Sequence, residues 1–133
     1  MNFQTLAQRR AAIALKRKKK DESKGENFRG KNEGNVVSGF PMLIRTDGFL
    51  PALAYAIENK EDKQTQLRKP KNQGEFQIAA ALVEHLTNEG ILKQSKSPED
   101  MVRELALAAD ASQLRRATAE ALAFLNYLKR FVV

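Results

Sequence analysis

The ionisable and nucleophilic side chains of this sequence offer few combinations that could carry out catalysis. There is no cysteine, one histidine (His85), and no phosphate-binding motif among the seven glycines. No partner pattern accompanies His85, so we expect a half-buried or surface histidine rather than a catalytic base. Asp100 and Glu104 could form a paired-carboxylate site, but acids at a helix start are the simpler interpretation. These residue types predict a protein that is not an enzyme and has no cofactor, metal site or small-molecule substrate.

The Lys and Arg residues form the one pattern that favours a ligand. Residues 1–31 hold ten of them against three acids, and this difference equals the net charge of the whole chain, +7. Such asymmetry points to a polyanion, either nucleic acid or an acidic membrane surface. Because Phe28 is the one aromatic residue in the basic loops, we expect contacts to the phosphate backbone of a nucleic acid with little base preference. The candidate cations for these contacts in the first helix and in the segment 60–71 are Arg9, Lys16, Arg17, Lys18, Lys19, Lys20, Lys63, Arg68, Lys69 and Lys71.

A second candidate surface lies on the last predicted helix. Arg116, Tyr127 and Arg130 recur there at helical spacing, together with Glu120 and Ala123, and predict an exposed face. Tyrosine and arginine are enriched among the residues that anchor protein interfaces. This face supports the alternative function, a helical protein–protein adaptor without direct RNA contact.

The elements that must position these residues are predicted to be helices. Alanine, leucine, lysine and glutamate dominate, and only residues 35–38 and 131–133 hint at extended chain, so the fold class is all-α. We expect one compact helical bundle over residues 1–133, with five to six helices and polar loops at about 21–35 and 60–72. The predicted helices cover about 2–20, both sides of Gly48 within 40–59, 73–88, 97–109, and from Asp110 or Ser112 to 130.

The segment 40–59 is mostly apolar and is interrupted by three breakers. Asp-Gly at 47–48 predicts a helix stop, since glycine accepts the left-handed conformation at little cost. Pro41 and Pro51 would each fit the first turn of a helix, where a backbone donor is not needed. Arg45 is the single cation set into this segment, on its buried side.

The order of residues in this segment resembles the signature of a known family. Residues 41–55 (PMLIRTDGFLPALAY), with Lys60 beyond them, are similar to the motif of the small helical subunit of type III-B CRISPR effector complexes, the fifth protein of the Cmr module. The resemblance implies a non-catalytic subunit for antiviral defence that stacks with copies of itself and other Cmr subunits. It also implies that basic residues line the path of CRISPR RNA and target RNA, for which Arg45 is a further candidate. The segments 21–35 and 60–71 depart from the family pattern.

The sequence also predicts a location. No apolar run approaches the roughly 20 residues that span a bilayer, and we expect no membrane partner. The absence of cysteine fits a reducing compartment, and the resemblance implies a prokaryotic cytoplasmic protein. The basic N-terminal segment has some character of an organellar transit peptide, but we rank this interpretation below that of a first helix of the folded domain.

Overall fold

The computed structural model describes residues 4–24, 35–61 and 67–132, and these ranges are mostly helical. The all-α prediction is confirmed, with one small β-hairpin in addition. The elements are α1 (Leu6–Lys24), α2 (Asn35–Asp47), α3 (Phe49–Ala56), β1 (Asn59–Glu61), β2 (Arg68–Pro70), α4 (Gln73–Asn88), α5 (Pro98–Arg103) with a π-helical turn (Glu104–Ala108), and α6 (Ala111–Val132).

Helix α4 is the central element of the bundle. It packs against α1, α2, α3, α5 and α6. Ile78 and Leu82, which lie on its second face, are as fully buried as Ala79 and Leu86 on the first. Helix α6 also presents a broad apolar face to the core. Both helices contribute to one continuous core, in which Phe40, Leu53 and Phe124 are among the largest buried side chains.

The turn at Gly48 was predicted correctly, and one prediction about the prolines was wrong. Gly48 has φ +99°, and Pro51 lies in the first turn of α3. Pro41, by contrast, lies in the interior of α2, because that helix already begins at Asn35. The predicted extended segment 35–38 is therefore helical: Val37 is fully buried in the core, and this burial outweighs the β-propensity of valine.

Both predicted polar loops are shorter than expected. Helix α1 continues to Lys24, four residues into the first predicted loop, and α2 begins at the last residue of that loop, Asn35; residues 25–34 lie outside the described part of the chain. Within the second, β1 pairs antiparallel with β2, placing Lys60 opposite Lys69 and Glu61 opposite Arg68. These strands are almost wholly exposed, so they lack the apolar alternation that predicts a strand.

The segment from α5 to α6 follows its capping signals. The Ser97 hydroxyl accepts a hydrogen bond from the backbone amide of Asp100 (3.1 Å), and the Asp110 carboxylate caps α6 by accepting one from the backbone amide of Gln113 (2.8 Å). Asp110 is thus the cap among the two alternatives. Residues 131–132, expected to be extended, belong to α6. Among the described helices, none is long and apolar enough to cross a membrane.

Candidate nucleic-acid interface

Helix α1 is held to the bundle mainly by ion pairs, because its apolar contribution is small. Its buried apolar residues among those described are Ile13 and Ala14. Towards α4, Arg9 donates two hydrogen bonds to Glu89 (2.7 and 3.0 Å), and Lys16 and Arg17 share Glu84 (2.5 and 2.8 Å). Three of the predicted RNA-binding cations are therefore paired with carboxylates of the same chain.

The most buried of these pairs joins α1 to α6. Arg10 donates two hydrogen bonds to the carboxylate of Glu120 (2.6 and 2.7 Å), a residue that is only 8% exposed. The same carboxylate lies 2.8 Å from Nε2 of His85, which we assign as a donor because an ionised carboxylate can only accept. The His85 ring stacks on Phe124, with centroids 4.6 Å apart. Burial of Glu120 alone would raise its pKa, but the hydrogen bonds from Arg10 and His85 outweigh that effect and lower it.

The prediction for His85 was wrong. His85 is fully buried rather than half-buried or at the surface, because α4 is covered on both faces. The charged groups of Arg10 and Arg17 contact the carboxylates of Glu120 and Glu84. Sequence spacing alone could not reveal these pairs, since the partners are 67 to 110 residues apart.

The α6 face that was predicted as an exposed interface is partly covered by α1. Arg116 and Arg130 are exposed, as expected. Glu120, however, is buried beneath Arg10, and Tyr127 is half-buried against the core, with its ring 6.4 Å from that of Phe131. The continuous exposed face therefore does not form, although the two arginines remain available at its ends.

The β-hairpin displays the cations of the second basic segment. Lys60 and Lys69 face each other on one side of the ribbon, and Arg68 pairs in register with Glu61 on the other. All four side chains are exposed. The hairpin is anchored to α3 by the Asn72 amide, which donates to the Tyr55 carbonyl (2.9 Å), and Lys71 lies 3.7 Å from Glu58. Lys63, and the side chains of Lys19 and Lys20, lie outside the described residues.

Arg45 is exposed, contrary to its predicted place on the buried side of α2. It lines a surface groove between α2 and α6, which we call the α2–α6 groove. Lys129, from the last turn of α6, lies in the same groove. The remaining lining residues are Ser38, Pro41, Leu122, Ala123, Leu125 and Asn126.

Sequence reasoning missed Lys129, Ser38 and Asn126 as residues of this groove. The available signal was helical spacing: Ser38 and Arg45 are two turns apart on α2, and Leu122 and Lys129 are two turns apart on α6. This spacing places each pair on one face. It does not reveal that the two faces adjoin, which depends on how α2 and α6 pack.

The chemistry of these groups is that of ion pairing and anion binding. Among the described residues, no cluster of histidine and acidic side chains could hold a metal ion. The carboxylates of Asp100 and Glu104 accept hydrogen bonds from groups close to them. Asp100 accepts one from the backbone amide of Lys96, and Glu104 accepts bonds from the backbone amides of Lys93 and Gln94, the Ser95 hydroxyl and the side-chain amide of Gln113. These bonds outweigh the effect of burial and lower the pKa of Glu104.

Comparison with known proteins gives one match. The model of a protein family described as CRISPR-associated protein (Cas_Cmr5) matches residues 6–133. No curated protein and no solved structure matches the chain.

Proposed function

Because the chain belongs to the Cas_Cmr5 family of CRISPR-associated proteins of type III-B complexes, we propose that it acts there as a non-catalytic subunit that contacts the RNA backbone through exposed cations. Family membership makes it a subunit of a complex with other Cmr proteins. Contact with CRISPR RNA or target RNA, stacking with copies of itself, and the absence of catalysis are parts of the proposal.

The observation that carries the RNA contact is the separation of the cations into two groups. Four cations of α1 are paired with carboxylates of the same chain: Arg9, Arg10, Lys16 and Arg17. Lys60 and Arg68 of the hairpin are exposed to solvent, where a phosphate backbone can reach them.

A non-catalytic role is supported by the position of His85, the side chain most suited to acid–base work at neutral pH. Its Nε2 is occupied by Glu120, and Nδ1 has no hydrogen-bond partner among the described residues. The ring is fully buried, so a substrate could not reach it without displacing α1 or Phe124.

The RNA contact can be tested in the assembled complex. Replacing Lys60, Arg68 and Lys69 by glutamine should weaken RNA binding and reduce its salt dependence by about 0.7 for each phosphate that is no longer neutralised. The matched control replaces Lys93, Lys96 and Arg103, three exposed cations of the α4–α5 region, by glutamine. An equal reduction in both variants would indicate a general charge effect, and unchanged binding in the hairpin variant would overturn the hairpin as the contact.

One observation favours the adaptor as a second candidate function. Met42 and Tyr55 are large hydrophobic residues that are 68% and 41% exposed, and Tyr55 lines a groove whose other residues include Phe40, Leu43 and Pro51 as well as the acids Asp47 and Glu75. Methionine and tyrosine are enriched in protein interfaces. If Met42→Gln and Tyr55→Ser together abolish co-purification with other subunits while the hairpin variant binds RNA normally, the adaptor is the better description.

A further inference from the structure

The α2–α6 groove has a consistent electrostatic character. Arg45 and Lys129 are both exposed, and none of the described residues that line the groove is acidic. Within the described residues neither cation is in a salt bridge, whereas Arg10 and Arg17 of α1 are. The groove is therefore a place where positive charge remains available to an external anion.

The size and the lining of the groove fit one nucleotide of a flexible single strand rather than a rigid duplex. The groove encloses about 500 Å³, within the range of small-ligand sites. Ser38 and Asn126 supply a hydroxyl and an amide, which can bond phosphate or sugar oxygens. Pro41, Leu122 and Ala123 supply apolar surface, and the lining residues that the structure describes include no aromatic ring on which a base would stack.

We propose that the α2–α6 groove binds one nucleotide of single-stranded RNA, with the phosphate between Arg45 and Lys129 and without selection among bases. The inference rests on the proposed function and adds a second contact, on α2 and α6, to that of the hairpin. Arginine and lysine bind phosphate by charge-assisted hydrogen bonds. Ser38 and Asn126 position the sugar-phosphate unit, and the apolar floor covers one side of the sugar or base.

Arg45 and Lys129 also lie in the last turns of their helices, where cations offset the negative helix ends. This structural role predicts a loss of thermal stability when either residue is neutralised, but no change in RNA binding. The test must therefore measure both properties on the same proteins.

The first experiment uses the full chain and a short fluorescein-labelled oligouridine. Arg45→Gln with Lys129→Gln should weaken binding roughly tenfold at low salt, and the slope of log affinity against log salt should fall by about 0.7, the value for one single-strand phosphate. Lys93→Gln with Lys96→Gln is the matched control and should leave the slope unchanged. An oligoadenosine should give the same loss of affinity, whereas binding of an RNA duplex should not depend on Arg45 or Lys129.

The second experiment uses the assembled complex and RNA that carries 4-thiouridine. Crosslinks should map to residues 38–45 or 122–129 and disappear in the Arg45→Gln, Lys129→Gln variant. Loss of RNA binding only in the hairpin variant would retain the proposed function and overturn the groove, and loss in neither variant would overturn both. Failure of the groove variant to retain another subunit, with RNA crosslinks unchanged, would assign the groove to a protein and also overturn the proposal.

Discussion

At the scale of single residues, Glu120 connects three parts of the molecule. Its carboxylate accepts hydrogen bonds from Arg10 of α1 and from His85 of α4, while its own backbone belongs to α6. A carboxylate that is 8% exposed would lose much of its hydration, and only charged or donor groups at this distance can replace it. Glu120 is therefore a structural residue rather than part of an exposed interface.

We expect Glu120→Gln to lower the free energy of unfolding by roughly 2 kcal/mol, because it leaves the guanidinium of Arg10 half-buried without its anion. Urea denaturation measures this change. The control is Glu58→Gln, which removes an exposed carboxylate 3.7 Å from Lys71 and should cost less than about 0.5 kcal/mol. Equal losses of stability in the two variants would contradict the structural role of Glu120.

The pH dependence of stability should reflect the same carboxylates. The pKa values of Glu84, Glu104 and Glu120 are all below the ordinary value of 4.5, because hydrogen bonds outweigh the effect of burial in each. A depressed pKa in the folded state gives stability that is fully present above the unfolded pKa and is lost as the pH falls through the folded pKa. We expect the unfolding free energy to decline below about pH 4.5, and less steeply in Glu120→Gln. An identical pH profile for the variant would contradict the assignment.

Residue-level prediction from sequence succeeded where the cause is local. The helix start near Ser97 and the turn at Gly48 depend on residues within one helical turn, and both were predicted. The burial of His85 and the partners of Arg10 and Arg17 depend on which helix lies opposite, and these were missed. A spacing of three or four residues indicates a face, but not what covers it.

At the scale of elements, two glycines in and after α2 differ in whether the backbone requires glycine. Gly48 has φ +99° and ψ 163°, a region that essentially only glycine occupies. Gly39 lies inside α2, and a Cβ built there would meet no atom within 4 Å. The same substitution should therefore have opposite effects at positions nine residues apart.

We expect Gly48→Ala to destabilise the protein by about 1–3 kcal/mol through backbone strain alone, since its Cβ would lie 3.5 Å from Pro51, an ordinary contact. Gly39→Ala should instead stabilise it by about 0.5–1 kcal/mol, because alanine loses less entropy in a helix. Thermal or urea unfolding of the two variants measures both effects. Destabilisation by Gly39→Ala would show that this part of α2 is not a regular helix.

The other elements show why part of the fold could not be predicted. Helices α4 and α6 have long periodic patterns and were located within a few residues. The start of α2 contains Val36 and Val37, whose strand propensity is overridden by burial, and β1 and β2 are too polar and short to carry a period. Pro41 was placed at a helix start because the helix before it was not recognised.

At the scale of the whole molecule, folding redistributes the charge that the sequence concentrates in residues 1–31. The acids of α4 and α6 neutralise described cations of α1, so the face of α1 towards the bundle is not a basic surface. The exposed cations elsewhere include those of the hairpin and of the α2–α6 groove, two places that are distant in sequence. Counting charged residues along the sequence predicted a polyanionic ligand, but it could not locate the surface that the ligand contacts.

This redistribution predicts that two sets of basic residues have separable roles. Lys16→Gln with Arg17→Gln removes both cations from Glu84 and should lower the unfolding free energy by about 1 kcal/mol, with little effect on RNA binding. Lys60→Gln with Arg68→Gln should weaken RNA binding in the assembled complex and leave the unfolding free energy unchanged, since both side chains are exposed. Urea denaturation and RNA titration of the same two proteins measure the four values. If the Lys16, Arg17 variant loses RNA affinity while remaining as stable as the wild type, the basic surface of α1 is the RNA contact, and its ion pairs with Glu84 do not hold the bundle together.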